Sequence, residues 1–377
     1  MQKKTSSSLG FDFSQFEYAH GKPKFKGLLK STPEDFIVEE QIPYSLSGEG
    51  EHLWCWIEKR GENTDWVAEK LAKWANTSKV NVGYAGKKDR HAITRQWFSI
   101  QLPGLVDPCV ETFELKNVKI LKTIRHNKKL QKGALAGNHF KIALHHIQSA
   151  NADEFDHSEL QTYINQRMQR IGQMGVPNYF GEQRFGHQGG NLLEGQKLLS
   201  GDNLKVSRQR NRRKKGKSRN QQGLYISAIR SWMFNAFLSQ RIQAGCWNKP
   251  IEGDVLLSSD ANKLVVTEDD QAHLEALEQG EYFVSGALFG DGKLETHGKA
   301  FELENSVMQT YQAWCDGLAS NRIQPSRRTT VLLPQQLTWK LLQTEQGVSL
   351  DMNFYLPAGS FATMVLREII QVYEAKR

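Results

Sequence analysis

One carboxylate set in a run of cations constrains this chain more than any other feature. Gly83-Tyr84-Ala85-Gly86 forms a small, glycine-bearing turn, and Asp89 then sits among Lys87, Lys88, Arg90, His91 and Arg95. Thr94-Arg95-Gln96-Trp97-Phe98-Ser99-Ile100 alternates in the manner of a strand leaving the turn, and a strand through Val80 and Val82 should enter it. A turn between two strands holds its side chains on rigid backbone, as a positioned reactive group requires. Neighbouring positive charge lowers a carboxyl pKa, so Asp89 is expected to stay ionised at neutral pH. An ionised carboxylate is a poor general acid but a competent nucleophile or base. The same cations would attract a polyanion. A solvated charged turn without chemistry would have the same composition.

The length of 377 residues favours two domains, and 39% hydrophobic residues suffice for a full core. The formal net charge of +8 favours a polyanionic partner. Cys55, Cys109, Cys246 and Cys315 are widely spaced, with neither metal-ligand spacing nor a disulfide framework, which fits a reducing cytoplasm. Met1 to Gly10 is polar and lacks the apolar region of a secretory signal, and no apolar run reaches membrane-spanning length.

Phe36 and Val38 share one face of a strand that follows the Pro33 turn, with Phe36 read as core. His52 to Glu58 alternates Leu53, Cys55 and Ile57 against Trp54 and Trp56, a strand covered on both faces. Thr64 is placed to cap a helix in which Val67, Leu71 and Trp74 fall at i, i+4 and i+7. After the turn at Gly137-Asn138, Phe140, Ile142 and Leu144 line one side of another strand.

Residues 175–186 read as an irregular loop dense in aromatics and glycine. Lys205 to Arg219 holds nine basic residues in fifteen and no acid, a flexible run suited to gripping an RNA backbone. A helix with Ile229, Met233 and Phe237 at four-residue spacing follows, then short strands and acidic helical segments that can bury a core of their own. Two strands, Arg328–Leu342 and Val348–Leu356, precede a last helix with a stripe of Leu366, Ile369, Ile370 and Tyr373.

Two look-alikes fail. Gly86-Lys87 is not a P-loop, because Asn81 stands where its first glycine belongs and Lys88 where Ser or Thr belongs. His145 and His146 are adjacent, and no H-E-x-x-H pattern occurs, so zinc catalysis has no support.

Lys87-Lys88-Asp89-Arg90-His91-Ala92 with Thr94-Arg95-Gln96 resembles the catalytic motif of the tRNA pseudouridine synthase D (TruD) family. Four other segments resemble that family in the same order: Glu34-Asp35-Phe36-Ile37-Val38-Glu39-Glu40 with Lys30 upstream; Gly137-Asn138-His139-Phe140; Asn178-Tyr179-Phe180-Gly181-Glu182-Gln183-Arg184-Phe185-Gly186; and Leu356-Pro357-Ala358-Gly359-Ser360-Phe361-Ala362-Thr363 with Leu366-Arg367-Glu368. The resemblance covers nearly the whole chain.

It implies an α/β (α+β) fold: a pseudouridine-synthase-like catalytic domain with a mixed, largely antiparallel sheet, carrying an inserted α/β TRUD domain. The catalytic domain would be residues 1–163 plus 336–377, and the insertion 164–335. The implied activity is isomerisation of uridine at tRNA position 13 to pseudouridine. Asp89 would be the nucleophile, and Phe36, Asn138, Phe140 and Phe361 would hold a flipped-out uracil. Lys30 is a possible partner of Asp89. Lys87, Lys88, Arg90, Arg184, Arg210, Arg212, Arg213, Lys214 and Lys215 are candidates for the RNA backbone. The implied partner is tRNA, met by a cytoplasmic monomer with no metal, nucleotide or other cofactor. A non-catalytic RNA-binding protein would explain the charge and aromatics without chemistry, and a hydrolytic glycosidase would also use an acid but release free base.

Overall fold

Period-two alternation of apolar and polar residues builds the largest of three sheets among the described residues. The computed structural model describes residues 11–151, 156–200, 219–258, 260–267, 277, 279–345 and 347–374. Its contacts separate two units, one of Pro23–Gln173 with Leu333–Arg377 and one of Met174–Leu332 with the described part of Met1–Lys22. In the first unit the elements are β1 (Phe25–Leu29), β2 (Phe36–Gln41), β3 (His52–Arg60), α1 (Thr64–Trp74), β4 (Val82–Tyr84), β5 (Ile93–Gln101), β6 (Val118–His126), β7 (Gly137–Ser149), α2 (His157–Met174), β8 (Gln335–Thr344), β9 (Gly347–Pro357), α3 (Ala362–Ile369) and β10 (Gln371–Glu374). Ten strands form one sheet in the order β8-β9-β7-β2-β5-β3-β6, with β4 added on β5 and β1 bridging β7 and β10. Only β1–β10 and β2–β5 are parallel pairs, so the sheet is mixed and largely antiparallel, as expected.

One face of this sheet carries both the core and the Asp89 loop. Leu53, Cys55, Ile57, Phe98 and Ile100 point to it and bury Val67, Ala68 and Leu71 of α1. The next cross-strand row is Lys59, Thr94, Val38, Phe140 and Phe354, read across β3, β5, β2, β7 and β9. Paired residues share a face, so the apolar floor under α1 continues into a row that is polar at the β3 and β5 end.

Three local expectations change. Thr64 does not cap α1, because Asn63 holds the N-cap position and the Thr64 hydroxyl is hydrogen-bonded elsewhere. Val80 is 73% exposed in a short 3-10 turn, and the entering strand starts only at Val82. The last helix ends at Ile369: Ile370 is extended, and Tyr373 lies on β10, where pairing with β1 satisfies backbone groups that further helix would have satisfied internally. Arg328–Leu342 is likewise not one strand but Ser326–Thr329, Val331–Leu332 and β8.

In the second unit, helix Arg219–Gln243 buries Ile229, Met233 and Phe237 as the spacing predicts. A four-stranded antiparallel sheet contains Lys263–Val265, Val255–Ser258, Tyr282–Leu288 and Ser326–Thr329 in that order. Phe11 and Phe16 pack edge-on against Trp232, and Phe16 stacks on Tyr179. The units meet in sequence at 22/23, 173/174 and 332/333, whereas the sequence alone suggested 163/164 and 335/336 and kept the N-terminal segment with the catalytic domain. The continuous helix α2 runs through 163/164.

Gly83 lets β4 lie close against the loop between β6 and β7. A Cβ there would stand 2.4 Å from Leu130 O and 2.8 Å from Ser99 Oγ. Gly83→Ala should destabilise the protein by about 1–3 kcal/mol, measured as a lower urea midpoint with an unchanged slope.

Candidate active site

Residues 85–92, between β4 and β5, are suspended from the sheet by buried polar side chains. Gln96 Nε2 donates to Gly86 O at 3.0 Å. Thr64 Oγ1 accepts the Lys88 N–H at 3.1 Å and faces Gln96 Oε1 at 3.3 Å. Lys59 Nζ donates to Asp89 O at 2.9 Å. Thr64, Gln96 and Lys59 are all buried. From the loop, Lys88 reaches down to Glu40 Oε2 at 2.9 Å and Asn138 Oδ1 at 2.5 Å. Burial raises the Glu40 carboxyl above its usual range, and the Lys88 charge opposes that rise.

The backbone so held presents Asp89. Its Oδ2 is ion-paired with Lys30 Nζ, and its Oδ1 accepts the His91 N–H at 2.9 Å. Partial burial pushes the carboxyl up, but the Lys30 hydrogen bond and charge, with the His91 N–H and charge, outweigh it, and the pKa falls below 3.8. The group is therefore ionised at neutral pH. Lys30 has φ 57°, a left-handed backbone that non-glycine residues seldom adopt, and its Nζ lies 4.5 Å over the Phe36 ring. Strain of this sort persists where surrounding structure over-determines it. In the turn that follows, Asp35 accepts the Thr32 N–H at 2.7 Å and lies 2.9 Å from His145 Nε2 on β7.

The structure brings Lys30, Phe36, Lys88, Asp89, Asn138 and Phe140 together on one sheet face. Phe36 meets Phe140 edge-on at 6.1 Å, and Phe140 stacks on Phe354 at 5.5 Å. Phe361 holds the N-cap position of α3, just beyond β9. Lysine has donors and no acceptor, so the Asn138 atom facing Lys88 is its oxygen, and the amide N–H₂ points the other way.

The remaining cations divide by environment. Lys87 is 71% exposed and pairs with Asp65 at 2.6 Å, and Arg90 donates to Gly61 O at 3.2 Å. Lys88 is buried rather than open to a phosphate. Arg184 belongs to the second unit, where its guanidinium lies 5.4 Å from the Phe180 ring centroid and burial lowers its pKa. Arg210, Arg212, Arg213, Lys214 and Lys215 lie outside the described residues.

Sequence reading missed Lys59, Glu40, Thr64 and Gln96 as holders of the loop. A signal was present. The inward parity Leu53, Cys55, Ile57 ends in Lys59, that of Phe36 and Val38 ends in Glu40, and that of Ile100 and Phe98 runs back into Gln96 and Thr94. Among the described residues no group of three or more His, Cys, Asp or Glu side chains could hold a metal ion, and no helix is long and apolar enough to cross a membrane.

The profile of the tRNA pseudouridine synthase D (TruD) family matches residues 13–208 and 215–369. A tRNA pseudouridine synthase D from Hydrogenovibrio crunogenus is 42% identical over 359 residues, which are 95% of this chain and 97% of that one. One from Aeromonas hydrophila is 39% identical over 362 residues, 96% of this chain and 95% of that one. A crystal structure of a candidate tRNA pseudouridine synthase D from Methanosarcina mazei superposes with a TM-score of 0.76 at 23% identity, covering 94% of this chain and 95% of that one, and so shares the fold. The chain belongs to the tRNA pseudouridine synthase D family.

Lys30→Met removes the hydrogen bond and charge that hold the Asp89 carboxyl down and leaves its burial in place. The Asp89 pKa should then rise relative to wild type, measured by carboxyl carbon chemical shifts across a pH titration.

Proposed function

We propose that the protein is a tRNA pseudouridine synthase that isomerises uridine at tRNA position 13, with Asp89 as its nucleophile. The observation that carries this reading is the Asp89 carboxylate, ionised at neutral pH, on a braced loop over the face that bears Phe36, Asn138 and Phe140. Family membership supports the substrate.

A uracil paired and stacked in RNA is out of reach, so the nucleotide is first extruded at a cost of a few kcal/mol. Phe36, Phe140 and Phe361 shape the space for its ring, and the Asn138 amide N–H₂ donates to a carbonyl oxygen of the base. The bond from ribose C1′ to N1 breaks, the ring turns, and a bond from C1′ to C5 forms. C5 loses a proton and N1 gains one. Atoms and electrons balance within the nucleotide, so the reaction calls for no oxidant, reductant or group donor. Lys30 keeps the carboxylate ionised and oriented before the base arrives. Lys87, Arg90 and Arg184, with the basic run from Arg210 to Lys215, supply cations for the phosphates, and the protein acts as a cytoplasmic monomer.

Asp89→Asn should lower pseudouridine formation by about 10⁴-fold or more while tRNA affinity stays within a few-fold. Chromatography of digested tRNA reads the product, and Asp89→Ala alongside it guards against deamidation of the Asn. Turnover near wild type would overturn the nucleophile. No product from wild type would favour a non-catalytic RNA binder, and free uracil would indicate a glycosidase.

Replacing Arg210, Arg212, Arg213, Lys214 and Lys215 by Ser or Gln should flatten the salt dependence of tRNA binding. Each lost phosphate contact should remove roughly 0.7–0.9 from the log–log slope. An unchanged slope and affinity would take these residues out of the interface.

A further inference from the structure

Lys59 is fully buried on β3, one step beyond the apolar stripe Leu53, Cys55 and Ile57. A lysine in such a place is usually paired with a carboxylate, because burying an isolated charge is costly. Lys59 makes no ion pair among the described residues. Its hydrogen bond goes instead to the backbone carbonyl of Asp89, at 2.9 Å. It stands in the cross-strand row of Thr94, Val38 and Phe140, so it approaches Asp89 from the sheet floor while Lys30 meets the carboxylate. Gln96 and Thr64 hold Gly86 O and the Lys88 N–H beside it. These are three consecutive anchors on one short loop, and only the third is a cation.

From this geometry we infer that Lys59 is a positioning residue for the reaction, fixing the Asp89 main chain so that the carboxylate meets the base at a set height and angle. The inference rests on Asp89 being the nucleophile. A neutral hydrogen-bonding side chain could hold a carbonyl. A cation does so with a stronger bond, and it also favours the ionised carboxylate above it. Keeping that cation buried costs it part of its hydration, which favours the neutral amine. Burial lowers the Lys59 pKa from 10.5 to about 8, the negative charges of Asp89 and Glu62 work against this, and the positive charge of Lys88 adds to it. A lysine retained at a structural loss and aimed at the reacting residue's own backbone is accounted for by function.

The test uses full-length Lys59→Met, one atom shorter and without a donor, beside Lys59→Gln, of the same length as Met but with an uncharged donor. Rates are measured under single turnover with enzyme saturating over tRNA, at a temperature where circular dichroism shows each variant folded. Misplacing a reacting group by about 1 Å can cost about 100-fold. Lys59→Met should therefore lose about 100-fold in kcat and Lys59→Gln about 10-fold, both with KM and tRNA affinity unchanged. The Met variant should be as stable as wild type or more so below pH 8, since an uncompensated buried charge has gone.

A second readout follows from linkage. Between about pH 8 and 10.5 the unfolded chain holds a proton on Lys59 that the folded protein releases, so wild type should gain stability relative to Lys59→Met across that window. A kcat within a few-fold of wild type in a folded variant overturns the inference, as does a loss that falls in KM or follows the unfolded fraction. If Lys59→Met does not fold, Lys59→Gln decides on the same criteria. Asp89→Asn run in parallel separates the two levels. An active Asp89→Asn removes the nucleophile reading itself, whereas an inactive Asp89→Asn beside a fully active Lys59→Met removes Lys59 alone.

Discussion

The buried ion pair between Lys88 and Glu40 is the constraint on which the site depends. Glu40 is shielded from solvent on β2, Lys88 comes down from the loop, and Asn138 joins them from β7. A buried charge is tolerable only when paired and hydrogen-bonded, and losing one partner leaves the other uncompensated. The pair therefore ties the loop to β2, because displacing either strands a charge away from water, and the Asn138 hydrogen bond adds β7 to the tie. The Trp97 N–H, 3.2 Å from Glu40 Oε1, extends the tie to β5. The strands that carry Phe36 and Phe140 are thus locked to the loop that carries Asp89.

Three lysines near Asp89 show how one residue type takes different tasks by depth. Lys87 is exposed and meets Asp65 at the surface, where screening makes such a pair weak. Lys88 is sealed in and sets the loop's position. Lys30 lies between these extremes and pairs with Asp89 itself. Coulomb interactions strengthen as water is excluded. The same charge therefore decorates the protein, braces it or tunes its reacting group according to where the fold leaves it.

Much of this was legible in the chain. The alternation in β2 and β7 showed their inward faces correctly, because successive side chains of a strand point to opposite sides. Asp89 stood out because a lone acid among cations is rare in composition and plain in chemistry. What stayed hidden depended on residues distant in sequence. Thr64 is a good cap by type, yet its hydroxyl is taken by Lys88 and Gln96, a competition that only tertiary structure reveals. Tyr373 fits a helical stripe as well as a strand, and β1, more than 340 residues earlier in the chain by the pairing Lys26 to Gln371, chose the strand. Lys88 reads as a surface cation until Glu40 is seen beneath it.

The pairing of β7 with β9 has a consequence for assembly. β7 is built before the Met174–Leu332 stretch of the second unit, whereas β9, its partner from Leu350 to Pro357, comes after it. Contacts so far apart in sequence slow folding, because long loops must close before they are rewarded. During synthesis β7 thus spends the whole translation of the intervening segment with one edge unpaired, and an open edge can recruit a wrong strand. The layout that completes the sheet late makes the nascent chain the stage at which this protein is most exposed to aggregation.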